Sequence, residues 1–141
     1  MNNGLQDVAE LTAGFRLPTW IAPAELENDL RNMAGDVIQL SCDGHTPGCQ
    51  TERNDPVVRA ISSAIRMEGA QPRPKLKTGT ADFNVVSPAW NCPIAAYGPG
   101  DSALDHTPNE HLVIDDYLHA IRVLKHAVTT LAEDTVARVA G

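Results

Sequence analysis

Aromatic residues make up only 4% of this 141-residue chain, so Leu, Ile, Val and Ala must fill whatever core its 43% of hydrophobic residues builds. Basic residues are also few. Eleven Lys and Arg face eighteen Asp and Glu, a formal net charge of -7. That balance argues against a nucleic-acid-binding surface, where the phosphate backbone is met with Lys and Arg. Cysteine is sparse and odd in number: Cys42, Cys49 and Cys92. A disulfide framework is therefore not expected, and a reducing compartment is. The N-terminus has no basic segment followed by an apolar one, and no apolar run approaches the roughly 18–20 residues that span a bilayer. These absences lead us to expect a soluble cytoplasmic protein without membrane contact. No internal repeat is evident, and the length suits one domain or two small pieces.

What is present begins with alternation. Ala9, Leu11, Ala13, Phe15 and Leu17 fall on one face, with Glu10, Thr12, Gly14 and Arg16 on the other. Period two over residues 7–17 predicts a half-buried strand, ended by Pro18. Pro23 suits the first turn of a helix whose stripe is Leu26, Leu30 and Met33, with Gly35 as its stop. Residues 36–42 alternate again, giving β-α-β. Turn formers dominate residues 43–55, which predicts a hinge or domain boundary. Asp55 can cap a helix that Pro56 opens, Val57, Val58, Ile61 and Ile65 stripe, and Gly69 closes. Gln71-Pro-Arg-Pro74 is a rigid connector. A short strand is expected over residues 74–78 and a turn or two of helix over 80–86, before Pro88. The small apolar run Cys92 to Tyr97 predicts a strand buried on both faces, with the Gly98-Pro-Gly loop at its carboxyl end, where α/β sheets gather ligand sites. Last, Ile114, Leu118, Ile121, Leu124, Val128 and Leu131 mark an amphipathic helix expected to fray beyond Glu133. The expected fold class is α/β.

Chemistry-bearing residues concentrate in few places. Cys42-x2-His45-x3-Cys49 offers thiolate and imidazole, but only three ligands where a closed zinc site takes four; a hinge turn is the favoured reading. His106 and Glu110 could place an imidazole and an orienting carboxylate in one loop. On spacing alone, a solvated loop histidine is the more ordinary outcome. His119 and His126, with Asp115 one turn before the first, suit a hydrated helix face better than a metal face. His111 has no clear partner. Gly98-Pro-Gly-Asp-Ser102 lacks the phosphate-loop pattern, and neither a G-x-S-x-G elbow nor a recognisable cysteine nucleophile is present.

At Gly79-Thr-Ala-Asp82, Tyr97-Gly-Pro-Gly-Asp101 and His106-Thr-Pro-Asn-Glu110 the chain resembles the C-terminal part of a zinc aminoacyl hydrolase family. That family includes acetylornithine deacetylase, succinyl-diaminopimelate desuccinylase, aminoacylase and related carboxypeptidases. Leu76 to Asn84 and Ala96 to His111 are similar to the branch that releases lysine or ornithine from an amino-group carrier protein. The likeness is specific in the second half of the chain and looser in the first.

The resemblance implies a catalytic α/β domain interrupted by a lid used for dimerisation. Residues 1–52 would be the C-terminal part of the lid and 53–141 the C-terminal part of the catalytic domain. His106 matches the family's last metal ligand. Asn3 and Arg16 match a polar pair that binds substrate across the active site, and Gly79 and Thr80 match the loop lining the substrate pocket. Two departures stand out. Gly14 replaces a frequent Asp before the Phe-Arg pair, and Asn84 stands where several members carry an Arg for the substrate carboxylate, which leaves the substrate head group open. The family's His-x-Asp motif, bridging Asp and Glu-Glu pair are absent. The implied zinc or cobalt centre would therefore belong to the complete enzyme alone. Two expectations follow. One is a fragment of a zinc-dependent amidohydrolase that cleaves an N-acyl or isopeptide bond to a lysine- or ornithine-type amino acid and is inactive alone. The other is a non-catalytic interaction module that needs a partner chain.

Overall fold

Among the described residues of the computed structural model, four helices carry the regular structure: α1 (Pro23–Ala34), α2 (Pro56–Met67), α3 (Asp82–Trp90) and α4 (Ile114–Val139). It describes Gly4, residues 8–77 and residues 79–139, with Arg138 by its backbone alone. Two compact units divide the chain: residues 1–48 with 78–80, and residues 49–77 with 81–141.

In the first unit, Pro23 opens α1 and Gly35, at φ 56°, ends it, its N–H donating to the Arg31 carbonyl over 3.1 Å. One turn of α1 anchors the loop that follows. The Glu27 carboxylate accepts from Arg31 Nε at 2.8 Å and pairs with His45 Nε2 at 2.6 Å. The Arg31 hydrogen bond, then the His45 one, hold the Glu27 carboxyl below its ordinary value. At its end the loop passes close to earlier backbone. A Cβ on Gly48 would lie 2.9 Å from the Leu17 carbonyl oxygen and 3.1 Å from the Thr19 nitrogen, so only glycine fits there.

In the second unit, Asp55 caps α2 by accepting from Val57 N at 2.8 Å and Val58 N at 3.4 Å, an interaction worth about 1 kcal/mol. The core is where α2 meets α4. Ala60 and Ala64 pack against Val123 and Ala127, with Ile61, Ile65, Tyr97 and Leu131 around them. Alanine at the contact lets the two helices approach closely. Burial raises the Tyr97 phenol above its ordinary value. At the far end of α2, the Glu68 carboxylate forks to Arg122 Nε at 2.8 Å and His126 Nε2 at 3.1 Å. Thr51 Oγ1 donates to the Ile94 carbonyl at 2.7 Å, and Cys49 Sγ to Ser87 Oγ at 2.9 Å.

The α/β expectation is overturned: among the described residues there is no β-strand. Alternation decides which face of a strand would be buried. It cannot supply the neighbouring backbone that makes a segment a strand. Leu11 and Phe15, on the expected inner face of residues 7–17, are 89% and 55% exposed, and Val37 in the second run is 93% exposed. In the run Cys92 to Tyr97, Pro93 has no N–H to give and the Ile94 carbonyl is taken by a threonine hydroxyl. The helices differ less. α3 runs through Pro88 instead of ending before it, and α4 continues past Glu133 to Val139. Among the described residues no helix is long and apolar enough to cross a membrane.

The Glu68 fork makes stability depend on pH. Its hydrogen bond from Arg122 is the largest cause of a carboxyl held below its ordinary value of 4.5, and His126 adds to it. The fork thus contributes fully above that value and its contribution is lost as pH falls through the folded-state value. Wild type is expected to unfold at a higher urea midpoint than Glu68→Gln at pH 6, with the gap closing on acidification below pH about 4. A gap constant down to pH about 3 would show that the carboxylate is not what ties α2 to α4.

Candidate functional site

The loop between Tyr97 and α4 is built from consecutive turns. Leu104 N donates to the Asp101 carbonyl at 2.9 Å, Thr107 N to the Leu104 carbonyl at 3.0 Å, and Glu110 N to the Thr107 carbonyl at 3.1 Å. Side chains reinforce them. Asp101 Oδ1 accepts from Ala103 N at 3.0 Å, and Thr107 Oγ1 donates to the Leu104 carbonyl at 2.8 Å. Gly100, at φ 99°, makes the sharp entry.

His106 sits at the crest of these turns in the left-handed region, φ 64°. A non-glycine residue there is uncommon and persists when its surroundings hold it. Here Glu110 does so. Its Oε2 accepts from the His106 backbone N–H at 2.8 Å. The carboxylate therefore orients the backbone of His106 and not, as the sequence suggested, its ring. Next to it, Asp105 Oδ2 accepts from Lys77 Nζ at 3.0 Å, tying the loop to the connector before α3. The His106 side chain is exposed on a fixed backbone, an arrangement suited to a ligand presented outward.

Among the residues expected to bind substrate, Arg16 and Gly79 come together. A Cβ on Gly79 would lie 3.8 Å from Arg16 Nη1, so the missing side chain leaves the guanidinium beside the Gly79-Thr80 backbone. A planar guanidinium next to open backbone can take a carboxylate or a developing oxyanion with parallel hydrogen bonds. Both residues belong to the first unit, and His106 to the second. The Asn84 side chain serves the fold: its Oδ1 accepts from Ala81 N at 3.1 Å, capping α3. Asn3 lies outside the described residues.

The other histidines and the cysteines have local roles. His45 pairs with Glu27, and His126 with Glu68. His111 Nδ1 bonds the Asn109 carbonyl at 2.7 Å, and His119 is half-buried on α4. All three cysteines are free thiols. Among the described residues no three His, Cys, Asp or Glu side chains converge to hold a metal ion. The cap made by Asn84 was missed from the sequence, although an amide three residues beyond a helix start is the signal that marks it.

The sequence model of the family described as Peptidase family M20/M25/M40 matches residues 10–130. The LysW-lysine hydrolase of Deinococcus radiodurans is 43% identical over 130 residues, 92% of this chain and 36% of that protein. A putative LysW-lysine/LysW-ornithine hydrolase of Thermococcus kodakarensis is 45% identical over 102 residues, 67% of this chain and 30% of that protein. Its counterpart in Pyrococcus furiosus is 47% identical over 88 residues, 62% of this chain and 27% of that protein. The chain spans about a third of the length of the curated relatives it matches.

Proposed function

Because the chain belongs to peptidase family M20/M25/M40, we propose that it forms part of a hydrolase that frees lysine or ornithine from an amino-group carrier protein. The observation that carries this reading is 43% identity to a LysW-lysine hydrolase over 92% of the chain. Residues 1–52 are assigned to a lid through which two copies pair, and residues 53–141 to the catalytic domain. The setting is the cytoplasm.

Arg16, beside Gly79 and Thr80, holds the carboxylate of the amino-acid end or the oxyanion that develops at the scissile carbonyl. Gly79 and Thr80 form the edge against which the substrate chain lies. Asn3 joins Arg16 in the pair that reaches the substrate. Asn84 stands where several members carry an arginine; with its Oδ1 engaged in the α3 cap it brings no positive charge to the pocket edge, which suits a substrate whose far end is an amine. His106 donates one ligand to a zinc or cobalt ion that supplies Lewis-acid chemistry when bound. The His-x-Asp motif, bridging Asp and Glu-Glu pair that the resemblance calls for are not among these 141 residues, so no turnover is expected of them alone.

The test is a chimera in which residues 10–130 replace the matching segment of the Deinococcus radiodurans relative. Hydrolysis of LysW-lysine by the chimera is expected within about tenfold of the parent, and none is expected from the isolated chain. A chimera that folds and binds metal like the parent yet releases no lysine would defeat the proposal.

A further inference from the structure

The basic residues of this acidic chain are unevenly placed. Arg53, Arg59, Arg66, Arg73, Lys75 and Lys77 all fall within residues 53–77, where the only carboxylates are Asp55 and Glu68. Both are engaged: Asp55 caps α2, and Glu68 is forked to Arg122 and His126. Lys77 is paired with Asp105. Three of the remaining arginines, Arg53, Arg59 and Arg66, line one groove of about 610 Å³ on the flank of α2. Arg59 and Arg66 are two helical turns apart, with Ser62 and Ser63 between them on the groove wall. Pro72 and Pro74 stiffen another part of the lining, and among the described residues Asp134 of α4 is the one carboxylate in it.

Among the described residues, no carboxylate lies within 4.0 Å of Arg53, Arg59 or Arg66; Arg66 Nη1 donates only to the Ser62 carbonyl, at 3.3 Å. Three arginines lining one groove put like charge around it, and an anion there would offset their mutual repulsion. Arginine forks and the serines of the same lining suit an anion that offers several oxygens. A cavity of this volume admits a small molecule. We infer that this groove binds a small multivalent oxyanion, a phosphorylated or polycarboxylate metabolite, through Arg53, Arg59 and Arg66 with Ser62 and Ser63. None of these residues is assigned to substrate or metal above, so the site stands or falls independently of the hydrolase reading.

Isothermal titration of the full chain with pyrophosphate and with citrate, at matched ionic strength, tests it. Saturable one-to-one binding of either is expected, and the tighter of the two tells phosphate from polycarboxylate. Arg59→Gln and Arg66→Gln should each weaken binding about tenfold, whereas Lys75→Gln, in the same basic stretch but off the groove, should change it less than about twofold. All three positions are exposed, so circular dichroism should read the same helix content in each variant. No saturable heat from either anion would overturn the inference. So would equal losses in Lys75→Gln and Arg59→Gln, or tighter binding of a poly-glutamate peptide than of either small anion.

Discussion

His106→Ala, placed in the chimera that carries residues 10–130, lowers metal content and lysine release by at least about 100-fold, while His119→Ala leaves both within about twofold. Losing a group that merely orients a ligand costs metal affinity about 10–100-fold, so losing the ligand itself should cost no less. The contrast rests on how the two rings are held. The His106 ring stands out from a chain of turns, on a left-handed backbone that the Glu110 carboxylate pins through the His106 N–H. His119 lies half-buried on α4, next to the buried Ala120. Metal analysis and turnover on the same preparations read both effects. Equal losses from the two substitutions would remove His106 from the site.

The helices were legible from the sequence because their ends are written in single residues. Pro23 and Gly35 bound α1, and Asp55 with Pro56 and Gly69 bounds α2 to within two residues. The strands were not, because a strand is a relation between two segments. The alternation from Ala9 to Leu17 says how the run would sit if a neighbour paired with it, and nothing in the run says that one does. For the candidate site, it was the resemblance to the aminoacyl hydrolase family, and not residue type or spacing, that pointed to His106, Arg16 and Gly79. It could not reveal that Glu110 bonds backbone and not imidazole, or that the Asn84 amide is spent on a helix cap. Those assignments depend on turn geometry that sequence spacing does not encode. The same limit explains the groove beside α2. Arg59 and Arg66 are a period apart and visible as a pair, but Arg53 joins them only through the fold.

The face of α4 that carries the core is the sharpest case, and it can be tested by one substitution. The large residues Ile114, Leu118, Ile121, Leu124, Val128 and Leu131 announce the buried stripe; Leu131 does pack on the core, yet the other five are 73%, 47%, 46%, 41% and 63% exposed. The α4 residues buried against α2 are the smaller Val123 and Ala127, at 0% and 2%. A hydrophobicity pattern weighs large side chains most, whereas two helices meet most closely where the side chains are small. Val123→Asp places a carboxylate at the centre of a contact that offers no buried polar partner. An uncompensated buried charge costs about 3–5 kcal/mol, comparable with what so small a core supplies. We expect the variant to lose its cooperative urea transition, read by far-ultraviolet circular dichroism. Val128→Asp, on the exposed face of the same helix, should stay within about 0.5 kcal/mol of wild type. If the two variants exchanged these outcomes, the large-residue stripe would be the buried one, and the packing of α2 on α4 through alanine would be wrong.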